Sequence, residues 1–495
     1  EGDVEPAAAY AHALLATLGD VLSAKVVRAD VDVPKYVDGL VPRLFNLFVY
    51  AAFAGAESES ESESVGTHPR VLGVAGRIVN LVVQTLDAKR QETFVAALFD
   101  AYLKGEVGNL AIGHQKVPVE RQFMPFDADV DAGFRQKNLA TLFAQAVVAL
   151  HKEVRGLFRL LSTLVYSDTD AGVDVQVKLP VEDPTAFLGT LLDWSVHRAE
   201  NSLERDSAWH VISAVLNKRA QDLESFIAER LPAFWSSEIE DGSRPVEGRR
   251  LALSAWAWVS KGLLLRSHPQ ALPSAERLFQ LFDDAEVSWD AGRAVGQVVV
   301  PDKVLTKSNH AVIKILYAQK YMNAMLPRIV EGAKLISEPR RQTAHLVALT
   351  SLITSIPKST YAYELPTLIP LLLRGLELPD AEIRANVIET FLSAAQADVE
   401  ANVKISKEGS LISGHSSTLV STMLRNSSAK EMPNARVRIA ALKYLAIIPQ
   451  IVRYDVLHPH KPAVLKELTK ALDDPKRAVR KEAVDARSNW YTFNG

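Results

Sequence analysis

The feature that most constrains the fold is a pair of helical segments that recurs at intervals of about 40 residues. The clearest copies are LPDAEIRANVIETFL at 378–392, PNARVRIAALKYLAIIP at 433–449, and the final stretch from Pro475 onward. RRQTAHLVALTSLITSIP at 340–357 matches less well, and FDDAEVSWDAGRAVGQV at 282–298 keeps only the acidic turn. This period is typical of HEAT repeats.

Each clear copy has an arginine early in its second helix. These residues are Arg384, Arg438 and Arg480, with His345 at the same position one repeat earlier, and the spacings are 39, 54 and 42 residues. Two interpretations are open. The favoured one is that each arginine links adjacent turns through a carboxylate such as Asp380 or Asp474, since buried paired charges can set register. The other is direct contact with a partner.

Helical periodicity fills nearly every other segment between turn signals. The best strand-like exception, VDVQVKLPV at 173–181, is interpreted as an extended connector. Longer turns are predicted at 167–186, 236–248 and 404–417, and the Ser/Glu-rich run at 57–66 is predicted to be a disordered loop.

The predicted fold is therefore all-α, a HEAT-repeat αα superhelix, or solenoid, in which stacked helix pairs bury the faces that one pair cannot bury alone. We expect a helical-repeat region at 1–199 and a C-terminal HEAT-repeat domain at 200–495. The chain starts at Glu1 inside a helical pattern, which suggests a C-terminal portion of a longer protein.

Composition excludes several classes of function. The 56 basic and 59 acidic residues leave no strongly basic field for nucleic acid. The chain has no cysteine, so it has no disulfide, thiol nucleophile or thiolate-bound metal. It lacks an uninterrupted apolar run of about 18 residues and a secretory signal pattern, so we expect a soluble intracellular protein.

The search for catalytic or metal-binding motifs gives weak candidates only. His458 and His460 in LHPHKP look like a metal pair, but a helix-connecting loop explains them better. Asp283 and Asp284 are interpreted as helix-capping carboxylates. Trp256 and Trp258 face different directions on a helix, and core packing explains each better than a binding site does. We expect no enzyme activity and no cofactor.

The last stretch, LDDPKRAVRKEAVDARSNWYTFNG at 472–495, is the best candidate for a binding surface. Its residues Val479, Ala483, Ala486 and Trp490 form one apolar stripe of a helix that should start at the Asp-Asp-Pro turn. Basic and aromatic residues surround that stripe. The candidate protein-binding residues are Arg438, Lys476, Arg477, Arg480, Lys481, Arg487, Trp490, Tyr491 and Phe493.

The same residues could pair with phosphates and stack on bases. Because acidic residues are interleaved with the basic ones, the patch is only mildly positive, and protein recognition fits it better. For the aromatic residues, folding back to seal the last helix pair is the competing interpretation.

Six segments of the sequence resemble the C-terminal repeats of the MMS-nineteen (Met-eighteen) family. From about residue 200 to the end they are, in chain order, AVLNKRAQDLESFI, AWVSKGLLLRSHP, HAVIKILYAQKYMNAMLPRIVEGAK, ELPTLIPLLLRGL, ARVRIAALKYL and LDDPKRAVRKEAVDARSNW. Upstream of 200 only the helical-repeat texture is similar.

The resemblance implies a non-catalytic scaffold of the cytosolic iron-sulfur protein assembly (CIA) targeting complex, in the cytoplasm and nucleus. Its partners would be a WD40-propeller subunit, a small partner subunit, and apo iron-sulfur clients such as DNA helicases, polymerases and primase. Direct nucleic-acid or membrane binding is not expected. The alternative is a HEAT-repeat nuclear transport receptor or another protein-binding scaffold, although such receptors are usually markedly acidic.

Overall fold

The computed structural model describes residues 4–33, 68–86, 183–199, 201–335, 337–361, 364–400 and 413–494, with the isolated residues 35, 65 and 91. Every regular element in these ranges is a helix. The predicted disordered loop at 57–66, apart from Val65, and the predicted connector at 173–181 lie outside the described residues.

The chain divides into two compact units. The first contains Glu1–Ala275 and Pro301–Tyr317, and the second contains Glu276–Val300 and Ala318–Gly495. These units follow spatial contacts, whereas the sequence-based boundary at 199/200 follows the extent of the family resemblance. That boundary stays a prediction.

The first unit contains two packed helix groups. Its helices are α1 (Val4–Val27), α2 (Pro69–Thr85), α3 (Pro184–His197), α4 (Ser202–Arg219), α5 (Leu231–Phe234), α6 (Val246–Leu265) and α7 (Ala271–Glu276, whose last residue belongs to the second unit). Helix α1 packs on α2, while α3, α4 and α6 pack on one another. Asp183 and Asn201 start α3 and α4 by accepting hydrogen bonds from the backbone N–H three residues on.

Helix α1 is the one described helix long and apolar enough to cross a membrane, over Glu5–Val27, by length and composition. Its charged residues are Glu5, Asp20 and Lys25, and the expectation that the chain does not span a bilayer stays a prediction. Only 11% of its most apolar 18-residue window is buried. Tyr10 and Leu14 are among its exposed side chains.

A long loop, 301–316, is fixed onto the first unit by polar side chains. The buried Asn217 of α4 donates to Val312 O at 3.0 Å and accepts from Val312 N at 2.7 Å. Lys261 of α6 pairs with Asp302 at 3.3 Å, and Asp302 also accepts from two loop N–H groups. The loop therefore has a defined conformation without a helix or strand of its own.

The second unit contains the recurring helix pairs. Its helices are α8 (Ser288–Gln297), α9 (Tyr317–Ala333, whose first residue belongs to the first unit), α10 (Pro339–Ser355), α11 (Lys358–Tyr361), α12 (Leu365–Gly375), α13 (Ala381–Glu400), α14 (Ser416–Ser427), α15 (Ala435–Ile451), α16 (Tyr454–Leu457), α17 (Lys461–Ala471) and α18 (Arg477–Thr492).

These helices stack in chain order. The second helices form one row, in which α8, α10, α13, α15 and α18 each pack on the next. The first helices α12, α14 and α17 lie against their own second helices α13, α15 and α18. Each apolar face is buried by a neighbouring pair, which is the packing of a HEAT-repeat solenoid. The predicted all-α, HEAT-repeat fold class is confirmed.

The turn prediction at 236–248 is wrong in its first part. A π-helix occupies Trp235–Glu240, and only residues 241–245 form the turn before α6. Trp235 and Ile239 are buried there, and Arg249 donates to Ile239 O at 2.9 Å. The polar residues of SSEIED, at 236–241, led to the turn prediction, although Ile239 among them and Trp235 just before them are buried.

The other two turn predictions overlap helices at their ends. Helix α3 begins at Pro184, inside the predicted turn at 167–186. A 3₁₀ turn at Ser413–His415 and the start of α14 occupy the end of the predicted turn at 404–417. The earlier parts of both turns lie outside the described residues.

Candidate protein-binding surface

Helix α18 packs by the apolar stripe that its sequence predicts. Val479, Ala483, Ala486 and Trp490 are all fully buried, and α18 lies against both α15 and α17. The helix begins at Arg477, two residues after Pro475, so the prediction that this proline lies in the first turn is wrong. The preceding carboxylate, Asp474, accepts from Lys476 N–H at 2.8 Å just before the helix and is also held by another helix.

Arg438 of α15 holds that carboxylate. Its Nε and Nη2 donate to the two carboxylate oxygens of Asp474 at 2.8 and 3.1 Å, and its Nη1 donates to Met432 O and Pro433 O at 2.7 Å each. The Arg438 and Asp474 side chains are 3% and 1% exposed. The favoured interpretation, an arginine that links adjacent turns through a carboxylate, describes this residue. Its guanidinium is enclosed by contacts within the chain.

The residues at the same position in two other repeats have different partners. Arg384 donates to Asn426 Oδ1 at 3.3 Å, an amide instead of a carboxylate. The carboxylate suggested for this role, Asp380, is paired with Arg293 of α8. His345 is buried against Phe282 with ring centroids 4.6 Å apart, and burial lowers its pKa. A neutral ring has replaced the cation at that position.

Two of the three C-terminal aromatic residues fold back onto the last helix pair. The Trp490 Nε1 donates to Leu445 O at 2.7 Å. Phe493 is buried, with its ring centroid 5.1 Å from that of Tyr454. Lys461 donates to Phe493 O at 2.6 Å and fixes the segment after α18. The sealing interpretation therefore describes Trp490 and Phe493.

Four residues of the candidate list have exposed side chains, namely Tyr491, Lys476, Arg477 and Lys481. Tyr491 is 68% exposed, and Val484, on the same side of the helix, is 55% exposed. Lys476, Arg477 and Lys481 are exposed, and none of the three forms an ion pair with another described residue. The result is an apolar area with a cationic rim.

Arg480 and Arg487 lie half-buried on that side of α18. Arg480 donates from Nη1 to Asp474 O at 2.6 Å and to Pro475 O at 3.2 Å. The Nε of Arg487 is buried and has no hydrogen-bond acceptor among the described residues. We call Arg480, Val484, Arg487 and Tyr491 the end face of α18.

Sequence reasoning missed a polar groove on the opposite edge of α18. Leu392, Gln396, Lys443, Ala446, Ile447, Gln450, Glu482, Asp485 and Asn489 line it, across α13, α15 and α18. Gln396 and Gln450 each follow their repeat arginine by 12 residues. That shared offset is the signal that would have shown two glutamines on one face of the stack.

The remaining sequence candidates have structural roles. His458–His460 form a 3₁₀ turn between α16 and α17, as the loop interpretation predicts. Asp284 accepts from the N–H groups of Glu286 and Val287 in the turn before α8, but the N-cap residue of α8 is Val287, which has no side-chain cap bond, so the capping interpretation is wrong for Asp284. No group of three or more His, Asp or Glu side chains in the described ranges is placed to hold a metal ion. Absence of a metal stays a prediction.

The two tryptophans differ in burial. Trp256 is buried and donates to Ser274 O at 2.8 Å. Trp258 is partly buried, with Lys261 Nζ 4.4 Å from its ring centroid and His210 edge-on at 4.8 Å. Burial lowers the pKa of His210 to about 4, while Asp302 opposes that shift. This group stabilises the junction of α4, α6 and the 301–316 loop.

The stacked helix pairs define the class of helical-repeat proteins. Within that class, residues 3–449 match the family model described as RNAPII transcription regulator C-terminal, MMS19_C. The chain belongs to the MMS19 family, and the resemblance noted in its sequence is confirmed.

Curated relatives agree with this assignment. The fission yeast DNA repair/transcription protein mms19 is 26% identical over 94% of this chain and 41% of its own length. The mouse MMS19 nucleotide excision repair protein homolog is 28% identical over 91% of this chain and 39% of its own length. The human homolog is 32% identical over 56% of this chain and 25% of its own length. The chain spans about two fifths of the first two relatives.

Solved structures with a similar arrangement include Kap121p, with a TM-score of 0.40, 12% identity, and coverage of 89% of this chain and 37% of that one. Kap121p bound to Pho4p gives a TM-score of 0.39 and 12% identity over 91% of this chain and 38% of that one. An engineered protein gives a TM-score of 0.34 and 15% identity, covering 100% of this chain and 97% of its own.

Proposed function

We propose that the protein is a non-catalytic scaffold of the CIA targeting complex. It binds a WD40-propeller subunit and a small partner subunit, and it presents apo-proteins of DNA replication, repair and transcription for [4Fe-4S] cluster insertion. The cluster is cargo, which agrees with the absence of cysteine from the chain. The proposed locations are the cytoplasm and nucleus.

Membership of the MMS19 family carries this proposal, and the surface of α18 supports a binding role. We propose that the C-terminal repeats, about 420 to 495, dock the small partner subunit. The described residues leave Val484 and Tyr491 exposed beside three cations that form no ion pair among those residues. Aromatic and arginine side chains are enriched at the centres of protein interfaces.

Charge reversal at the rim tests the docking proposal. The variant carries Arg477→Glu and Lys481→Glu, both at exposed positions. Because exposed rim charges chiefly affect association, we expect weaker binding of the purified small partner subunit and a smaller salt dependence. The cost to folding should be about 0.5 kcal/mol or less.

The matched control is Lys307→Glu with Lys320→Glu, two exposed lysines outside residues 420–495. Calorimetric titration at two salt concentrations gives the affinities, and thermal melting checks the fold. A rim variant that melts like the wild type and binds with unchanged affinity and salt dependence would place the contact elsewhere.

A HEAT-repeat nuclear transport receptor is the second candidate function. The polar groove on α13, α15 and α18 favours it, because Glu482 and Asp485 lie there without an ion pair among the described residues and could receive a basic peptide. Binding to a Ran-type GTPase would support this candidate over the scaffold.

A further inference from the structure

The three repeat arginines each donate to a carbonyl within their own repeat. Arg438 donates to Met432 O at 2.7 Å, and Arg480 donates to Asp474 O at 2.6 Å. Arg384 donates to Leu378 O, from Nε where the other two use Nη1. In each case the carbonyl lies six residues before the arginine. Each guanidinium group is therefore anchored to the turn at the start of its own helix, α13, α15 or α18.

Two of these arginines also bind a side chain from the next repeat. Arg438 binds both carboxylate oxygens of Asp474, which follows α17, and Arg384 binds Asn426 Oδ1 near the end of α14. A guanidinium presents five N–H donors in a rigid fork, so one edge can hold its own turn while the other receives an external acceptor. Each arginine thus connects one repeat to the following one.

Arg480 makes the bond to a carbonyl of its own repeat. For a bond to a side chain beyond that repeat, the described residues provide no acceptor. Both of its hydrogen bonds use Nη1, which leaves Nε and Nη2 available. Seven residues further along α18, the Nε of Arg487 is buried without an acceptor among the described residues. A buried donor left unpaired is unfavourable, so an acceptor placed here would be bound strongly.

The rest of the end face fits a protein. Arg480, Val484, Arg487 and Tyr491 follow one another at i, i+4, i+7 and i+11, which is one stripe of a helix. Exposed Val484 and Tyr491 alternate along it with the two arginines. The acidic residues Glu482 and Asp485 line the groove on the other edge of α18. An apolar surface with two guanidinium groups that have donors without acceptors among the described residues matches an apolar helix that carries a carboxylate.

We infer that Arg480 and Arg487 receive an aspartate or glutamate of the small partner subunit, on a segment that packs over Val484 and Tyr491. The carboxylate occupies the place at Arg480 that Asp474 occupies at Arg438, so the partner continues the stack as a further repeat would. This inference rests on the docking proposed above and adds the chemical group that is recognised.

Lysine substitution tests the fork geometry. Arg480→Lys and Arg487→Lys keep the charge but lose bidentate hydrogen bonding. We expect each to weaken binding of the purified small partner subunit about tenfold, which corresponds to about 1.4 kcal/mol. Arg340→Lys, at an exposed position of α10 outside residues 420–495, is the matched control and should bind like the wild type. Arg487→Lys removes no bond seen among the described residues, so its effect is not one of misfolding.

An acid-to-amide scan of the small subunit identifies the carboxylate. One Asp→Asn or Glu→Gln change in the small subunit should lower its affinity for the wild-type chain about tenfold. The same change should lower its affinity for the Arg480→Lys chain no further. If the rim charge reversal weakens binding while both lysine variants bind normally, docking holds and this inference is wrong.

Absence of binding by the wild-type chain would overturn both the docking and this inference. A loss of duplex DNA affinity in the lysine variants, with the small subunit bound normally, would assign the two arginines to phosphate instead.

Discussion

At the scale of single residues, Arg438 and Arg436 show how location decides the value of an ion pair. Both lie on α15 and both bind a carboxylate through two donors. Arg438 and Asp474 are buried, whereas Arg436 and Glu389 are 54% and 45% exposed. Removing one partner of a buried pair strands the other charge, while a surface pair contributes little.

We therefore expect Arg438→Ala to lower the free energy of unfolding by about 3–5 kcal/mol. Arg436→Ala should lower it by about 1 kcal/mol or less. Urea denaturation followed by circular dichroism measures both. Equal losses for the two variants would contradict the assignment of Arg438 and Asp474 as the link between repeats.

His210 predicts a pH dependence of the first unit. Burial lowers its pKa from 6.5 to about 4, so the folded state resists a proton that the unfolded chain accepts. Its contribution to stability is complete above pH 6.5 and is lost as the pH falls from about 6.5 towards 4. The wild type should therefore lose more melting temperature than His210→Gln over that range.

Thermal melts at pH 7 and pH 4.5 measure this difference, and His458→Gln, at an exposed histidine, is the control. The control should lose as much melting temperature as the wild type. If His210→Gln also does so, the ring is protonated in the folded protein.

At the scale of elements, Gly296 allows the close approach of α8 to α10, and Gly248 of α6 serves as the comparison. A Cβ on Gly296 of α8 would lie 2.3 Å from Ser351 O of α10, in the backbone of the neighbouring helix. A Cβ on Gly248 of α6 would have no atom within 4 Å. Gly296→Ala must separate α8 from α10, whereas Gly248→Ala gains helix propensity.

We expect Gly296→Ala to cost about 1–3 kcal/mol of unfolding free energy. Gly248→Ala should be neutral or stabilising by up to about 1 kcal/mol. Chemical denaturation of the two variants decides the point, and an unchanged midpoint for Gly296→Ala would show that α8 and α10 do not pack as closely as described.

The sequence predicts elements better than it predicts side-chain roles. Periodicity and turn residues identify the helix pairs from 378 onward, and the stripe on α18 is correct to the residue, because burial of apolar faces dictates both. Side-chain partners between repeats depend on helix offsets that no local pattern encodes. Asn426 as the acceptor of Arg384 is such a case.

The candidate surface was predictable in part for the same reason. A helical wheel separates Val479 and Trp490 from the basic residues, but Phe493 follows the helix, where periodicity gives no direction. Its burial depends on Tyr454 and Lys461 of the preceding elements. Arg480 resembles Arg438 in sequence, and only the structure distinguishes an occupied guanidinium from an available one.

At the scale of the whole molecule, the proposed scaffold function needs binding surfaces and no cluster ligands, which agrees with a chain that has no cysteine. The repeats of the second unit supply stacked helices, a polar groove and the end face of α18, all of which suit protein contacts. Recognition of apo-proteins requires surface, not cluster ligands. The proposed scaffold function therefore depends on which proteins this chain binds.

The most direct test is affinity capture of the tagged 495-residue chain from cell extract, with quantitative mass spectrometry. The matched comparison is the Arg477→Glu, Lys481→Glu variant. The wild type should enrich the WD40-propeller subunit, the small partner subunit and iron-sulfur proteins of DNA metabolism, and the variant should lose the small subunit. Enrichment of a Ran-type GTPase and transport cargo in place of these proteins would contradict the scaffold function.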